Sequence, residues 1–508
     1  MEPKMQTEQV MLKKEKLSVS VEQIVENDMS LADYYGDIVK VLGNSVSVNI
    51  FSAAVTGDKA VIDGCVRVRT LYINNENMPE IFETDCPFNR SVDVRDASDS
   101  DCVSVSVASE RVSCRAVNQR RAEIRGSVSL RVSVWGMSEQ EVFSAENNDF
   151  CHILPMKTEG FFPVAGTVKC WTVSSSFDVA EGVKAKKIYR VSTLPTVSEV
   201  RTIKNKMMVK GFVTAEAVLL TDEGSFVTQK MNLPVNQIAD MDGIDEESRV
   251  CVSMNVRSCD VNLTADTPQS PPKLEVSLIV AANIDAYRKR ELCAVSDAYS
   301  HSCELICRKN NIKCVTDIIR VNETFTVNSE MDFSSCKAVG VADAAVRLIR
   351  YTVQPQGNTL VLKGNIHFGI VVITEENERL YFDRIADFEY TKQFGTDVTD
   401  CDFQPTASVN TIIVTNSPNS RINLATELYF DGYLNITREN NVITSIEKGS
   451  EIEKKCDDGE IFVYFATKGE RLWDIAASHR SSVELIKNMN GTDEDVLGDD
   501  RILIFEAE

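Results

Sequence analysis

Residues 61–73 read VIDGCVRVRTLYI, and the same pattern returns as MVKGFVTAEAVLL over 208–220 and as VLKGNIHFGIVVI over 361–373. Each copy runs apolar, apolar, charged, Gly, places an apolar residue two positions further on, and closes on an apolar triplet. Gly64, Gly211 and Gly364 mark a period near 150 residues, so one structural unit is used three times. Val, Ile, Tyr and Phe dominate, and apolar and polar residues alternate in Cys65-Val66-Arg67-Val68-Arg69. Both features predict strands. A glycine inside a strand weakens it unless the chain bends, bulges or approaches another backbone closely. Its threefold recurrence predicts a shared bend.

Further strand-like runs lie around these copies. CVSVSVASERVSCRAV and AEIRGSVSLRVSVWG follow the first, RVCVSMNVRSCDVNLTAD and KLEVSLIVAANIDAY the second, and ASVNTIIVTNSP and INLATELYFDGYLNI the third. Each pair reads as a hairpin joined by a polar turn. No long segment before residue 460 shows a helical period. Units of this length built from strands predict a mainly β chain of three tandem sandwich or open-barrel units, with edges able to pair with another chain.

The chain has 508 residues, 43% of them hydrophobic and 26% charged. It is too long for a single core and has the composition of a folded protein. A net charge of −22, with no local cluster of Lys and Arg, argues against nucleic acid and against anionic membrane surfaces. The first twenty residues, MEPKMQTEQVMLKKEKLSVS, lack an apolar export core. No stretch approaches the ~20 apolar residues that would insert in a membrane. The 15 cysteines are odd in number and follow no framework spacing, as expected for reduced thiols in the cytoplasm.

The C-terminal region differs. Residues 461–465, IFVYF, form a strand, Lys468-Gly469-Glu470 a turn, and Leu472, Ile475 and Ala476 one face of a helix. Ser481-Ser482 can cap a second helix with Glu484 in its first turn. Val483, Leu485 and Ile486 give that helix an apolar face, and Asn490-Gly491 ends it. RILIF, 501–505, completes a two-stranded sheet, giving the order βααβ.

Residues 464–491, YFATKGERLWDIAASHRSSVELIKNMNG, resemble LysM, a small α+β module known for gripping cell-wall sugars. The run Leu31-x-Asp33-Tyr34-x-x-Asp37-Ile38-x-x-Val41-Leu42, followed by the Gly64 strand, resembles the start of a SPOCS domain. Ala32 and Gly36 stand where that family usually has prolines. Val295-x-Asp297-Ala298-Tyr299-Ser300 is similar to the family's ending. Tandem SPOCS units followed by a terminal LysM are the architecture of SipL-like spore-coat morphogenetic proteins. The division expected is an N-terminal segment 1–27, units over 28–150, 151–302 and 303–450, a linker 451–459, and the LysM module 460–508. The resemblance implies a non-enzymatic protein of sporulation. It would act in the mother-cell cytoplasm at the forespore surface, with a SpoIVA-like coat ATPase and other coat proteins as partners. A peptidoglycan- or cortex-binding role is the alternative.

Carried onto this chain, the LysM groove falls at residues 467–472 and 489–492. Strand alternation turns either Ile461 or Phe462 outward. The expected partner-binding set is Ile461, Lys468, Gly469, Glu470, Leu472, Trp473, Asn488 and Asn490. Trp473 has two readings: it completes a very small core, or it is a partly exposed interface anchor. Two departures from LysM argue against sugar. Glu470-Arg471 stands where Asp-Thr is usual, and Val-Leu-Gly-Asp-Asp replaces a Pro-Gly-rich loop. The pair Lys454-Lys455 could add a basic rim or be a solvated linker.

Signals for chemistry are few. The chain has no phosphate-binding Gly-Lys-Ser/Thr loop, no His-Glu-x-x-His and no Gly-x-Ser-x-Gly. The four histidines, His152, His301, His367 and His479, are far apart in sequence. Cys293, His301, Cys303, Cys307 and Cys314 fall within 22 residues, and a helix would put Cys303 and Cys307 on one face. The paired spacing of a zinc site is missing. ADMDGIDEE, 239–247, lacks the register of a calcium loop. No metal, cofactor or catalytic residue is expected.

Overall fold

The computed structural model describes residues 7–144, 151–264, 271–417, 420–451 and 461–506. Residues 1–6 and 452–460, the latter taking in all but the first residue of the expected linker 451–459 and its Lys454-Lys455 pair, lie outside the described residues. The chain is mainly β, and among the described residues no sheet closes into a barrel.

The first unit contains β1 (Thr7–Ser30), β2 (Ile38–Thr56), β3 (Lys59–Asn74), β4 (Pro79–Asp93), β5 (Cys102–Asn118) and β6 (Arg121–Phe143). The second repeats the series as β7 (His152–Asp178), β8 (Ala185–Ile203), β9 (Lys206–Thr221), β10 (Phe226–Asp240), β11 (Arg249–Leu263) and β12 (Lys273–Tyr299). The third has β13 (Cys303–Asp332), β14 (Ala338–Gln356), β15 (Thr359–Thr374) and β16 (Arg379–Gln393). Its fifth strand is split into β17 (Cys401–Phe403) and β18 (Thr406–Ser417), and β19 (Arg421–Glu451) closes it.

Every unit has the same topology. Its second, third and fourth strands form one antiparallel sheet with the glycine strand central, as in β2-β3-β4. Its first, last and fifth strands form the other, as in β1-β6-β5. The two sheets face each other across an apolar core of alternating side chains. Val66, Val68, Tyr72, Phe82, Val128 and Leu130 are among those filling the first core.

β1 begins far ahead of the expected start of its unit. Residues 7–27, read from sequence as a separate segment, pair with β6 from Thr7↔Phe143 onward. Alternation in KLSVSVEQIV is short and polar, so its strand character emerges only from a partner over a hundred residues away.

What the repeated glycines share is a close backbone approach, and the bulge lies on the strand beside them rather than on their own. Beside each glycine strand the neighbouring strand is bulged, between Ile50/Ser52, Val197/Glu199 and Leu348/Arg350. A bulge kinks its strand and brings backbone over the glycine. A Cβ on Gly64, Gly211 or Gly364 would overlap the carbonyl oxygen of Asn49, Thr196 or Arg350 respectively. The need is for room, since none of the three has a left-handed φ.

The units close into a ring. The second strand of each meets the fifth strand of the next: β2 against β11, β8 against β18, and β14 against β5. At the centre, Leu42, Leu71, Ile73 and Ile81 of the first unit pack with Tyr189, Val218 and Leu220 of the second and Val371 of the third. An arginine–carboxylate pair lies at each seam. Arg67 donates to Asp260 at 2.7 Å, and Arg347 to Glu110 at 3.4 Å. Arg190 grips both oxygens of Asp343, at 2.8 and 3.1 Å.

Beyond each sandwich the first and last strands continue as a two-stranded ribbon. Such a ribbon is marginal alone. The three pack into a stem around Val10, Val142, Phe162, Leu292, Ile312 and Val442.

Two outcomes test this architecture. Gly211→Val should cost about 1–3 kcal/mol by overpacking, read as a lowered urea midpoint. Arg190→Ala leaves the carboxylate of Asp343 buried and unpaired, which costs about 3–5 kcal/mol. Replacing both partners by apolar residues should cost less, measured on the same urea curve.

Candidate functional site: the C-terminal module

The module is built as expected: β20 (Ile461–Ala466), α1 (Leu472–His479), α2 (Val483–Asn490) and β21 (Arg501–Glu506). Gly469 takes the positive φ of 93° that its turn requires. Ser482 caps α2, its Oγ accepting from the Leu485 amide at 3.2 Å. Gly491 ends α2 in the left-handed conformation. Leu472, Ile475, Ala476 and Ile486 are buried against Leu503 and Phe505 on the inner side of the sheet.

Strand alternation then has a strong consequence. Phe462, Tyr464 and Ala466 turn inward, while Ile461, Val463 and Phe465 turn outward. On β21, Leu503 and Phe505 turn inward, with Ile502 and Ile504 outward. The pairs Val463↔Ile504 and Phe465↔Ile502 place the outward residues side by side. Phe465 is 73% exposed, Ile461 60% and Ile502 55%. Scattered exposed apolar side chains are unremarkable on a surface; these lie side by side on one face of the sheet. Ile461 was legible from the sequence. Val463, Phe465, Ile502 and Ile504 were missed, although the same period-two rule applied to both strands would have found them.

The groove positions have a different character. Of the backbone amides in the first loop, Thr467 donates to Glu470 Oε2 at 3.0 Å and Lys468 to Asp500 Oδ1 at 2.7 Å. Gly469 donates to the Leu497 carbonyl, Glu470 to that of Thr467 and Leu472 to that of Asp495. These five donors are therefore engaged within the module, and the facing loop carries Asp493, Glu494, Asp495, Asp499 and Asp500. Leu472 is fully buried. Asn490 binds the backbone of Ile504 in both directions, at 2.7 and 2.8 Å, and so fastens α2 to β21. Lys468 and Asn488 are exposed.

Trp473 is 7% exposed, and much of what covers it comes from outside the module. Its Nε1 donates to Asp297 Oδ2 at 3.0 Å. The ring of Tyr299 meets it edge-on at 4.8 Å, and the Tyr299 hydroxyl donates to the Ser481 carbonyl at 2.7 Å. Of the two readings of Trp473, the partly exposed anchor is not formed; the exposed face lies on the sheet with Ile461 and leaves the indole out. Burial pushes the Asp297 carboxyl up, but hydrogen bonds from Lys309 and Trp473 outweigh it and hold the group below the usual range.

The elements proposed for chemistry do not converge. Cys303 and Cys307 lie on strand β13, not on a helix. Cys314 is in the stem core, and the exposed Cys293 donates to Glu291 at 3.4 Å. Among the described residues no group of three His, Cys, Asp or Glu is placed to hold a metal. Burial pushes the thiols of Cys151, Cys251 and Cys259 up to about 12. In the acidic turn, Asp245 already receives Ser248 and Arg288, and these hydrogen bonds lower its pKa. His152 and His301, distant in sequence, do meet, with ring centroids 4.4 Å apart. Among the described residues no helix is long and apolar enough to cross a membrane.

The outward face should be separable from the core. Phe465→Ser should move stability by less than about 0.5 kcal/mol, whereas Leu472→Ala should cost about 2–5 kcal/mol. Urea denaturation of the full chain, followed by amide exchange within the module, would distinguish them.

Comparison with known families adds two findings. The SipL, SPOCS domain family matches residues 37–117 and 184–264. The LysM domain family matches residues 466–497. Two SPOCS domains and a C-terminal LysM domain give the chain a SipL-like architecture. They support a coat-associated protein carrying a LysM module, and neither is an enzymatic family. No curated protein and no solved structure matches the chain.

Proposed function

We propose that this chain, with its SipL-like order of domains, is a non-enzymatic assembly factor of the spore coat. The ring of three units is the scaffold. The LysM module docks a SpoIVA-like coat ATPase on the forespore surface from the mother-cell cytoplasm, and other coat proteins can use the scaffold's remaining edges. The observation that carries this reading is the outward apolar face of Ile461, Val463, Phe465, Ile502 and Ile504. Covering such side chains contributes roughly 1 kcal/mol or more each before the costs of association.

The LysM match itself favours a second reading, capture of glycan. Two features of the groove weigh against it. The amides of Thr467, Lys468, Gly469, Glu470 and Leu472 already have partners within the module, and a run of carboxylates lines the facing loop. A neutral sugar would have to displace those bonds without an equivalent return.

The deciding experiment immobilises the full chain and exposes it to lysate of sporulating cells, beside a Phe465→Asp, Ile502→Asp double variant. The wild type should retain the coat ATPase, and the double variant should lose about tenfold or more of it. Purified sacculi, offered separately, should bind neither protein. Equal retention of the ATPase by both proteins rejects the apolar face as its site, and retention on sacculi restores the glycan reading.

A further inference from the structure

We infer that the end of the second unit's ribbon, carrying Asp297 and Tyr299, is a seat for the C-terminal module. Trp473 is then a positioning residue, which sets how the module's apolar face is presented without touching the partner. This rests on the docking reading above and adds how the docking face is held.

Three contacts, two at Trp473 and one at Ser481, define the seat. The indole N–H of Trp473 reaches one oxygen of Asp297, while Lys309 donates to the other at 2.8 Å. The carboxylate is therefore fixed before the indole arrives. Tyr299 packs edge-on against the same indole. Its hydroxyl separately reaches the Ser481 carbonyl in the turn between α1 and α2. Behind Tyr299 the imidazole of His152 stacks at 5.1 Å and 17°, so the phenol ring is held from both sides. One contact would let the module swing. A hydrogen bond and an aromatic contact at Trp473 of α1, with a second hydrogen bond at the α1–α2 turn, fix its rotation as well as its position.

The third ribbon differs at this level: its described end, Glu447 to Glu451, has no aromatic residue to play the part of Tyr299. The module sits by its helical layer, and strand alternation points Val463, Phe465, Ile502 and Ile504 to the opposite side of the sheet. Seating the helices therefore directs the apolar face away from the body.

The test uses the full chain with Asp297→Ala, Tyr299→Phe and Asp297→Asn. Acrylamide quenching without any partner reads the seat. One of the three tryptophans should become quenchable in Asp297→Ala and Tyr299→Phe, with circular dichroism and urea midpoint unchanged. Asn keeps an acceptor oxygen for the indole and should restore most of the protection. Capture of the coat ATPase should then fall about fivefold in the first two variants and recover in the third, although neither position lies on the apolar face. An indole that stays protected in Asp297→Ala overturns the seat, whatever the capture result. A freed indole with unchanged or increased capture overturns the positioning role. A wild-type chain that captures no ATPase rejects the docking reading, and the quenching comparison still decides the seat.

Discussion

Each unit is closed by the pairing of its first strand with its last. Thr7 lies against Phe143, His152 against Tyr299, and Cys303 against Glu451. This pairing converts a linear run of strands into a sandwich, because it sets the outer sheet over the inner one. It also leaves a surplus: the two closing strands are longer than the sandwich needs, and the excess becomes a ribbon. Such contacts are far apart in sequence, so their loop-closure cost is met before they return any burial.

Closure of the units determines how they assemble. With the first and last strands engaged, each unit offers its second and fifth strands to its neighbours, and three units complete a ring. The apolar centre supplies burial, while the arginine–carboxylate pair at each seam restricts register. Charged pairs of this kind add little net stability when buried but make wrong alignments costly. The deep placement of Asp343, 7% exposed in its side chain, makes that seam the least tolerant of a slipped neighbour.

The stem gives the ring a direction, and the C-terminal module sits at its end. The module therefore has two unlike surfaces. Its helical layer is engaged by Asp297 and Tyr299, and its sheet presents a row of large apolar side chains to solvent. The inner face of the same sheet holds the small core around Leu503 and Phe505. A domain of under fifty residues thus divides its strands, residue by residue, between a core and an exposed apolar face.

The sequence by itself determined what depends on neighbours along the chain. The threefold glycine pattern, the strands, the hairpins at the end of each unit, and the caps at Ser482 and Gly491 were legible, because alternation, propensity and capping act over a few residues. Only the tertiary structure decided the rest. That residues 7–27 belong to a strand depends on β6, and the meeting of His152 with His301 depends on the ribbon. The burial of Trp473 depends on Asp297 and Tyr299, 176 positions away in the case of the carboxylate. The sequence marked Trp473 as a residue of consequence but left open whether it faced core or partner. An indole's surroundings are set by whatever packs over it, and here that came from another unit.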